Sequence, residues 1–542
     1  MRSALVGGLV AISSALGVAG SPHTHSVVTS DAYDYIVVGG GPSGIITAER
    51  LVEANKKVLL LERRYGPTVA TGAIDTLVWN KNLTPIDVPG LSADIGSLPE
   101  WEEYICTDTA GYAACVLGGG VTVNYMVFVH PPDHDFNDKL YERNPGTILP
   151  SADGKRYDQG LYTVLSNFFN NIGWKAVNMI SQPNEKHQVY SYPAWNVKDQ
   201  KRAGPVRTYL PLAEKHNNFN LQLGSKVTRV LRSGSKATGV EVENASGHLQ
   251  NIILAANGRV ILSAGALSAP RILFNSGIGP QSQIEAAQKS GVIVPPKHDW
   301  ISLPVGVVLK DHPIFSIVVK TNGTYGPLDW AGIYNGTETA DISLYEKGNG
   351  VLTQGKHRLI WFSSNVVDGE TRYYQGSCAP TGEDEVTITT YMTHGLTSSG
   401  VLGLDASGNT VYEKTPWMNT AGDQAAAKLF IQSLVDDLTA PSTGFQLETY
   451  TNVSSILGSL TSGMHYITTA KMGTDDGRHG NGTSVVDTNT KVYGMDNLYI
   501  VDGSIHPDLP TGNIQATIMV VAEAAVAKIL AHHYCGLFMD RY

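Results

Sequence analysis

The stretch 34–62 constrains the fold of this chain more than any other part. It contains an apolar run at 35–38, a glycine turn, a helical segment and a second apolar run at 58–61 that ends in Glu62. This order predicts a complete βαβ unit. Strand, helix, second strand and terminal acid follow one another in the order and spacing of a nucleotide-binding unit. The stretch therefore predicts a dinucleotide-binding site rather than an ordinary glycine-rich turn.

Three glycines in the turn each have a separate physical task. Gly39 permits the tight turn out of the first strand, Gly41 lets the backbone approach a pyrophosphate, and Gly44 lets the helix pack close to the sheet. The unpaired N–H groups at the start of the helix then face the phosphate charge. Glu62 can accept hydrogen bonds from both ribose hydroxyls, which favours FAD or NAD over a 2'-phosphorylated nucleotide.

The N-terminus and the glycosylation sequons predict a secreted glycoprotein. Residues 1–20 hold one arginine, an apolar run and small residues before a cleavage point, as in a signal peptide, and no later stretch predicts a membrane span. Six N-x-[ST] sequons occur, at Asn82, Asn244, Asn322, Asn335, Asn452 and Asn481. We therefore expect an extracellular protein without membrane contact.

Composition excludes several partners. The net charge is -10 and lysines and arginines are not clustered, which argues against nucleic acid or an anionic membrane. Four cysteines are too few for a disulfide scaffold. We expect a Cys106–Cys115 bridge, whereas Cys378 and Cys535 can pair or stay free. No metal site is predicted.

Two later segments resemble parts of a cofactor site. Gly118, Gly119 and Gly120 form a second glycine cluster, which allows the backbone to lie flat against a large group or forms a flexible loop. Near the C-terminus, Thr511-Gly512-Asn513 precedes a long predicted helix, whose N-terminal partial charge can stabilise an anion.

These segments together resemble the glucose-methanol-choline (GMC) flavoprotein oxidoreductases over about residues 33–533. The resemblance rests on the fingerprint 39–44, on GGGVTVN at 118–124, on GALSAPRILFNSGIG at 265–279 and on the His465 and Asn513 segments. Within the family, segments 106–124, 201–210 and 509–519 look most like the flavin domain of secreted fungal cellobiose dehydrogenases. Their haem-carrying cytochrome domain is expected to be absent, because the predicted leader runs almost directly into the fingerprint.

The resemblance implies an α/β fold of the glucose oxidase type, with two interleaved domains. After the signal peptide at 1–20, a Rossmann-like FAD-binding domain is expected from 31–130, 220–300 and 455–542. An α+β substrate domain on an antiparallel sheet is expected from 131–219 and 301–454.

The resemblance also implies the cofactor and its contacts. FAD is expected along Gly39, Gly41, Gly44 and Glu62, with further contacts from Gly119, Gly120, Asn124, Val227, Asp502 and Gly503. Some family members link FAD covalently through a histidine beside this asparagine. Here that position is Val123, so we expect dissociable FAD.

His465 and Asn513 are the implied catalytic residues. Neutral His465 would take the hydroxyl proton of an alcohol while hydride leaves to flavin N5, and Asn513 would hold the alcohol oxygen. His506 is the alternative base.

The expected pocket departs from that of a saccharide dehydrogenase. Gly463 and Met464 precede His465, where sugar-binding polar residues are expected in cellobiose dehydrogenases. We expect Met464 to make the pocket more apolar. Arg372 matches a substrate-contacting arginine of those enzymes, so a polar or carboxylated substrate stays open.

Three functions remain open from the sequence. The first is an FAD-dependent dehydrogenase or oxidase acting on a saccharide, a lactol or a less polar alcohol such as a secondary-metabolite intermediate. It needs an external acceptor: oxygen, a quinone or a redox protein. The second is a non-redox lyase on the same fold, and the third is a non-catalytic flavin-binding protein.

Overall fold

The computed structural model describes residues 26–99, 101–135, 143, 145–326 and 328–539. The predicted signal peptide at 1–20 lies outside these residues, and so does the side chain of Cys535. Thirteen helices occur in the described residues: α1 (Pro42–Glu53), α2 (Trp101–Tyr104), α3 (Gly120–Val123), α4 (Gly160–Asn171), α5 (Pro205–Thr208), α6 (Leu210–Ala213), α7 (Ala269–Asn275), α8 (Gln281–Lys289), α9 (Trp330–Asn335), α10 (Thr339–Glu346), α11 (Ala421–Leu438), α12 (Val453–Gly458) and α13 (Gln515–Met539).

Nineteen strands occur in the same described ranges, most of them in two large sheets. They are β1 (Ser26–Val38), β2 (Val58–Leu61), β3 (Lys175–Ala176), β4 (Val189–Ser191), β5 (Val197–Lys198), β6 (Lys201–Arg202), β7 (Phe219–Gln222), β8 (Ser225–Ser233), β9 (Lys236–Asn244), β10 (Leu249–Leu262), β11 (Pro313–Lys320), β12 (Leu359–Val367), β13 (Glu370–Pro380), β14 (Glu385–Met392), β15 (Val401–Leu404), β16 (Thr410–Lys414), β17 (Gln446–Leu447), β18 (Thr461–Ser462) and β19 (Leu498–Ile500).

The first sheet is a parallel core with an antiparallel extension. Strands β7, β2, β1, β10 and β19 pair in parallel. The first half of β10 also pairs with β9, and β9 with β8, in antiparallel register. A parallel sheet buried on both faces explains why residues 35–38 of β1 and the whole of β2 are continuous apolar runs. The predicted βαβ unit is confirmed.

Alternate side chains of this sheet pack against different helices. Tyr35, Val37, Leu60 and Tyr499 lie in one cluster with α1 and α13, whereas their neighbours Ile36, Val38, Leu59 and Ile500 lie in another with α7. This alternation is the two-residue period of a strand. The sheet is therefore a middle layer between helices, as the α/β prediction requires.

The second sheet is antiparallel except at its edge. Its order is β17-β11-β14-β13-β12-β4-β3, with β18 also paired to β11, and only β3 and β4 run parallel. Helices α4 and α11 cover one face, where Phe169, Trp361 and Phe430 are buried. The predicted antiparallel sheet is confirmed, while the domain boundaries stay a prediction.

Helix α13 is long and apolar enough to cross a membrane by length and composition. Its segment Gln515–His532 has a mean hydropathy of 1.3, but 56% of that segment is buried inside the fold. Ala516, Met519 and Ala522 pack in the same cluster as Ile45 and Ile46 of α1. Core packing therefore accounts for the apolar composition of this helix.

The predicted disulfide is confirmed, between Cys106 and Cys115 with Cα atoms 5.1 Å apart. The backbone N–H of Cys106 donates to Ala113 and that of Cys115 donates to Tyr104, at 2.9 and 2.7 Å. The bridge thus closes a small loop that the backbone already holds. Cys378 is a buried free thiol in β13.

Candidate active site

The predicted cofactor residues lie at one edge of the first sheet. Gly39 follows β1, Glu62 follows β2, Ser263 follows β10, and Asp502 lies two residues after β19. These are the carboxyl ends of parallel strands, where open α/β sheets bind their ligands. The strand order therefore brings together residues that are far apart in the sequence.

The first glycine turn has the geometry that a close backbone approach requires. Gly39 has φ +103°, and a Cβ added to it would lie 2.5 Å from the carbonyl oxygen of Ser263. A Cβ on Gly44 would lie 1.9 Å from the carbonyl oxygen of Gly39. A Cβ on Gly41 would meet only Ser263 O, at 3.9 Å, so the backbone at Gly41 is open.

Helix α1 begins at this turn with free donors. Its N-cap is Gly41, no side chain caps the first N–H groups, and no acidic residue occurs in the first turn. These N–H groups and the positive end of the helix can bind a phosphate group.

The second glycine cluster lies directly on the first. The N–H of Gly118 donates to the carbonyl of Gly40 at 2.7 Å. A Cβ on Gly119 would lie 3.2 Å from the Cα of Gly41, and Gly120 begins α3. The two clusters, more than seventy residues apart in the printed sequence, form one glycine-lined cradle.

Glu62 closes one end of the cradle. Its carboxylate accepts the N–H of Gly40 at 2.7 Å and the N–H of Arg64 at 3.0 Å, and burial raises its pKa. The backbone N–H of Ser225 donates to the Glu62 carbonyl, which places the start of β8 and Val227 beside it.

Asp502 links the ends of two parallel strands. Its carboxylate accepts hydrogen bonds from the N–H groups of Gly265 and Ser504, each at 2.8 Å, and burial raises its pKa. Gly503, the next residue, approaches the backbone of Tyr466 so closely that a Cβ would lie 3.1 Å from its carbonyl oxygen.

Asn124 ends the second glycine segment and is tied to the C-terminal helix. Its Nδ2 donates to Gln515 at 3.2 Å, and its Oδ1 accepts the N–H of Met126 at 2.9 Å. The buried guanidinium of Arg202 donates to the Asn124 carbonyl at 2.7 Å. An open glycine cradle, an uncapped helix N-terminus and a buried carboxylate fit the pyrophosphate and ribose of FAD.

His465 and Asn513 meet beyond this cradle. Asn513 Nδ2 lies 3.4 Å from His465 Nε2, although the residues are 48 positions apart. His465 follows β18 of the second sheet, whereas Asn513 precedes α13, which packs on the first sheet. The two predicted catalytic side chains are therefore neighbours at the junction of the sheets.

Neighbouring polar groups fix the His465 ring and backbone. His465 Nδ1 and His312 Nδ1 are 2.9 Å apart, and the His465 N–H donates to Asp311 Oδ1 at 2.7 Å. Asp311 is buried and also accepts from Trp417 at 2.9 Å and Ser462 at 2.6 Å.

Both histidine rings are neutral in this environment. Burial lowers the pKa of His465 to about 4 and holds the pKa of His312 well below its usual value. A neutral imidazole keeps one nitrogen lone pair, so His465 can accept a proton near neutral pH.

Gln375 of β13 orients Asn513. Gln375 Nε2 donates to Asn513 Oδ1 at 2.6 Å, and Gln375 Oε1 accepts the Asn513 N–H at 3.2 Å. Because the Asn513 oxygen is occupied, its amino group faces His465. Tyr391, the β14 partner of Gln375, stacks on the His465 ring at 6.0 Å between centroids.

The expectation that Arg372 contacts substrate is corrected. Arg372 is 1% exposed, and its guanidinium donates to Asp423 of α11 at 3.0 Å and to the Val367 carbonyl at 2.6 Å. Positions 372 and 375 of β13 point to opposite faces of the sheet. Arg372 therefore packs under α11, away from the face that carries Gln375.

Two further predicted residues, Met464 and His506, are placed differently with respect to the His465–Asn513 pair. Met464 has φ +57° and a side chain that is 55% exposed, so it lies at the open side of the site. His506 is 4% exposed, and within the described residues it has no hydrogen bond to His465 or Asn513. The structure thus brings Asn513 to His465 and leaves His506 apart.

Sequence reasoning missed His312, Asp311, Gln375 and Tyr391. The first two are adjacent in KDHP at 310–313, where a charged pair before a strand is a usable signal. Gln375 and Tyr391 carry no local signal, because only the register of β13 and β14 places them beside Asn513.

Comparison with known proteins gives one consistent result. Two family models described as GMC oxidoreductase match residues 148–314 and 402–522, and an NAD(P)-binding Rossmann-like model matches 37–81. The oxygen-dependent choline dehydrogenase of Vibrio vulnificus (strain YJ016) is 26% identical over 92% of this chain and 94% of that protein.

Two further proteins are similar over nearly their whole lengths. The FAD-, quinone-dependent glucose dehydrogenase of Drosophila pseudoobscura pseudoobscura is 25% identical, over 91% of this chain and 85% of that protein. An FAD-dependent oxidoreductase from Chaetomium thermophilum has a similar structure, with TM-score 0.72 and 20% identity over 93% of this chain and all (100%) of that one.

Replacing Gly44 by alanine should abolish FAD binding. The added methyl group would lie 1.9 Å from the Gly39 carbonyl oxygen, which is a severe clash, so α1 must move away from the turn that holds the pyrophosphate. The flavin-to-protein absorbance ratio of the purified variant measures this. Gly96→Ala is the control, since its methyl group would meet nothing within 4 Å. Full FAD content in Gly44→Ala would contradict the assignment.

Proposed function

Because the chain belongs to the GMC oxidoreductase family of FAD-dependent enzymes, we propose that it oxidises the CH–OH group of a weakly polar alcohol. The family establishes the FAD-dependent oxidation of an alcohol, whereas the polarity of the substrate is our proposal. The observation that carries the proposal is the contact between neutral His465 and Asn513.

The FAD-holding residues follow from the cradle. We assign the pyrophosphate to Gly39, Gly41, Gly44 and the first turn of α1, and the adenosine ribose to Glu62. FAD, when bound, supplies the acceptor for the hydride that leaves the carbinol carbon.

We propose that FAD is held non-covalently. Val123, beside Asn124, has no nucleophilic nitrogen with which to form a covalent link. Cold acid precipitation should release the yellow colour into the supernatant, and colour that stays in the pellet would contradict this.

His465 takes the proton of the substrate hydroxyl at Nε2. For Nε2 to carry a lone pair, the ring proton must be on Nδ1, where His312 Nδ1 at 2.9 Å can accept it. His312 then carries its own proton on Nε2, which is buried and makes no hydrogen bond within the described residues. Only one tautomer of each ring is compatible with this arrangement: His465 is protonated on Nδ1 and His312 on Nε2.

Asn513 positions the alcohol and Asp311 stabilises the protonated base. The Asn513 amino group, turned toward His465 by Gln375, can donate to the substrate oxygen. When His465 gains a proton, the carboxylate that already accepts its backbone N–H lies close to the new positive charge.

The surroundings of the pair favour a substrate with an apolar body. Tyr391 stacks on His465, and Met464 is exposed beside it. Arg372, the charged group that supported a polar or carboxylated substrate, faces the other side of the sheet and is paired with Asp423. A saccharide, as in the glucose dehydrogenase relative or a cellobiose dehydrogenase, is therefore the second candidate. The electron acceptor is external: oxygen, a quinone or a redox protein.

We also propose that the protein is secreted. Five of the six sequon asparagines have exposed side chains, and Asn244 is half-buried, so all six are accessible to glycosylation. Deglycosylation should lower the mass of protein recovered from the culture medium; an unmodified chain retained inside the cell would contradict the proposal.

Anaerobic substrate titration tests the proposed function. Benzylic and aliphatic alcohols should bleach the flavin at lower concentration than cellobiose or glucose does. His465→Ala should keep FAD and lower the rate of flavin reduction by about 10²- to 10⁴-fold, since the general base is lost. His506→Ala is the comparison variant and should reduce FAD at the parent rate when normalised to flavin content.

The outcomes separate the alternatives. Bleaching by sugars alone would establish a saccharide dehydrogenase and contradict the apolar pocket. Release of a carbonyl product while the flavin stays oxidised would indicate a lyase. An unaffected His465→Ala together with an inactive His506→Ala would transfer the role of base to His506.

His465 should act as a base over a wide pH range, and His312 should keep its ring in the active tautomer. Since the folded pKa of His465 is lowered to about 4, flavin reduction should be constant from neutral pH down to about pH 5 and should decline as pH falls through 4. His312→Leu removes the acceptor of the Nδ1 proton and should lower the rate about 10- to 100-fold, as for other partners that orient a histidine.

The conservative variant distinguishes positioning from packing. His312→Asn retains an acceptor atom near Nδ1 and should recover most of the rate. Equal losses in His312→Leu and His312→Asn, with the same pH profile as the parent, would mean that His312 serves only packing.

A further inference from the structure

A second group of polar side chains lies beside the loop that carries Asn513. We name it the outer cluster and define it as His134, Asp135 and His394. One ligand atom from each residue lies within 4.8 Å of the others. His134 Nε2 and His394 Nδ1 are 3.4 and 3.6 Å from Asp135 Oδ1.

We propose that the outer cluster binds one late first-row divalent cation, with Zn²⁺ as the best chemical match. Two imidazoles and one carboxylate are the ligand types that Zn²⁺ takes at sites with three protein ligands. Ligand atoms bound at about 2.0–2.2 Å from Zn²⁺ in a tetrahedron are separated by about 3.3–3.6 Å. The two separations from Asp135 agree with this geometry. Mg²⁺ and Ca²⁺ prefer all-oxygen sites, which two histidines do not provide.

One side of the outer cluster is built into the protein. Asp135 is 4% exposed, and its Oδ2 accepts the backbone N–H of Thr511 at 2.5 Å. A carboxylate fixed in this way is a pre-oriented ligand, because a second contact holds the group that binds the metal. The His134 ring stacks on Tyr373, 5.7 Å between centroids, which restricts its rotation.

The other side of the cluster is open. His134 is 46% exposed and His394 is 29% exposed, so a cation can enter and keep a water ligand. His134 Nε2 lies 3.1 Å from Thr511 Oγ1, and His394 Nδ1 lies 2.5 Å from the Leu509 carbonyl oxygen. A bound cation would replace these two hydrogen bonds, and the ring proton of His394 would move from Nδ1 to Nε2 so that Nδ1 offers its lone pair to the metal.

Lys186 is the charged group that opposes cation binding. It is 4% exposed, and its Nζ lies 4.2 Å from the centroid of the Phe362 ring. Burial lowers its pKa to about 7, although Asp135 partly offsets the effect by attracting its charge. Titration at pH 8 rather than at neutral pH therefore lowers the repulsion between Lys186 and the cation.

A cation at this position would act on the active site through one loop. It would join segment 134–135, His394, which lies two residues after β14, and the backbone around Thr511. Thr511 is two residues before Asn513, and Tyr373 and Gln375 lie on the same face of β13. Cation binding would thus restrain the loop that carries Asn513.

The test is metal binding to the FAD-loaded protein, purified without a histidine tag and dialysed against chelator. We expect titration with ZnCl₂ at pH 8, followed by calorimetry and metal analysis, to give one Zn²⁺ per chain and a higher melting temperature. His134→Ala and His394→Ala should each weaken binding by about tenfold or more, as loss of a ligand requires. His216→Ala, an exposed histidine elsewhere on the surface, is the matched control and should bind like the parent.

Asp135→Asn adds a variant of the same shape, and it should also lose the high-affinity site if it keeps its FAD. Zn²⁺ uptake that is equal in the parent, His134→Ala, His394→Ala and Asp135→Asn would overturn the proposal, and so would the absence of uptake by the parent. These readouts do not depend on alcohol oxidation, so they are separate from the test of the proposed function.

Discussion

The hydrogen bonds between Gln375 and Asn513 join the two halves of the active site. Gln375 belongs to the antiparallel sheet, whereas Asn513 precedes the helix that packs on the parallel sheet. His465, attached to the antiparallel sheet through β18, reaches the same point from the other direction. If the sheets shifted relative to each other, Asn513 would lose its orienting partner and its contact with His465 together. The reactive pair therefore depends on the docking of the two sheets, and not on either sheet alone.

The protein makes a weakly basic but always available base by burial. A buried histidine loses the hydration that its charged form needs, so it stays neutral over the working pH range. The partner on Nδ1 is a second buried histidine rather than a carboxylate, so the ground state carries no permanent negative charge against the ring. Asp311 is close, but it binds the backbone N–H of His465 instead of the imidazole. His312 therefore fixes the tautomer of His465, whereas Asp311 stabilises the protonated ring.

The sequence was sufficient to predict those features whose residues are close together in the chain. The first βαβ unit was predictable because strand, glycine turn and helix are contiguous, and the Cys106–Cys115 bridge because its ends are only nine positions apart. His465 and Asn513 were predicted from a family resemblance rather than from their own surroundings. Arg372 was misassigned because its match to a substrate-contacting arginine of cellobiose dehydrogenases does not show which face of a strand it occupies; a one-residue change reverses that face. Gln375 was missed for the same reason, since its partner is 138 residues away.

The position of the flavin edge relative to His465 and Asn513 is the decisive measurement for the proposed proton and hydride transfer. In a crystal structure of the FAD-loaded protein, the distances from flavin N5 to His465 Nε2 and to Asn513 Nδ2 can be measured. We expect both atoms to face N5 across a gap that admits one alcohol group, with the pyrophosphate against Gly39, Gly41 and Gly44. A flavin ring that presents another edge to this pair, or that lies away from it, would contradict the account.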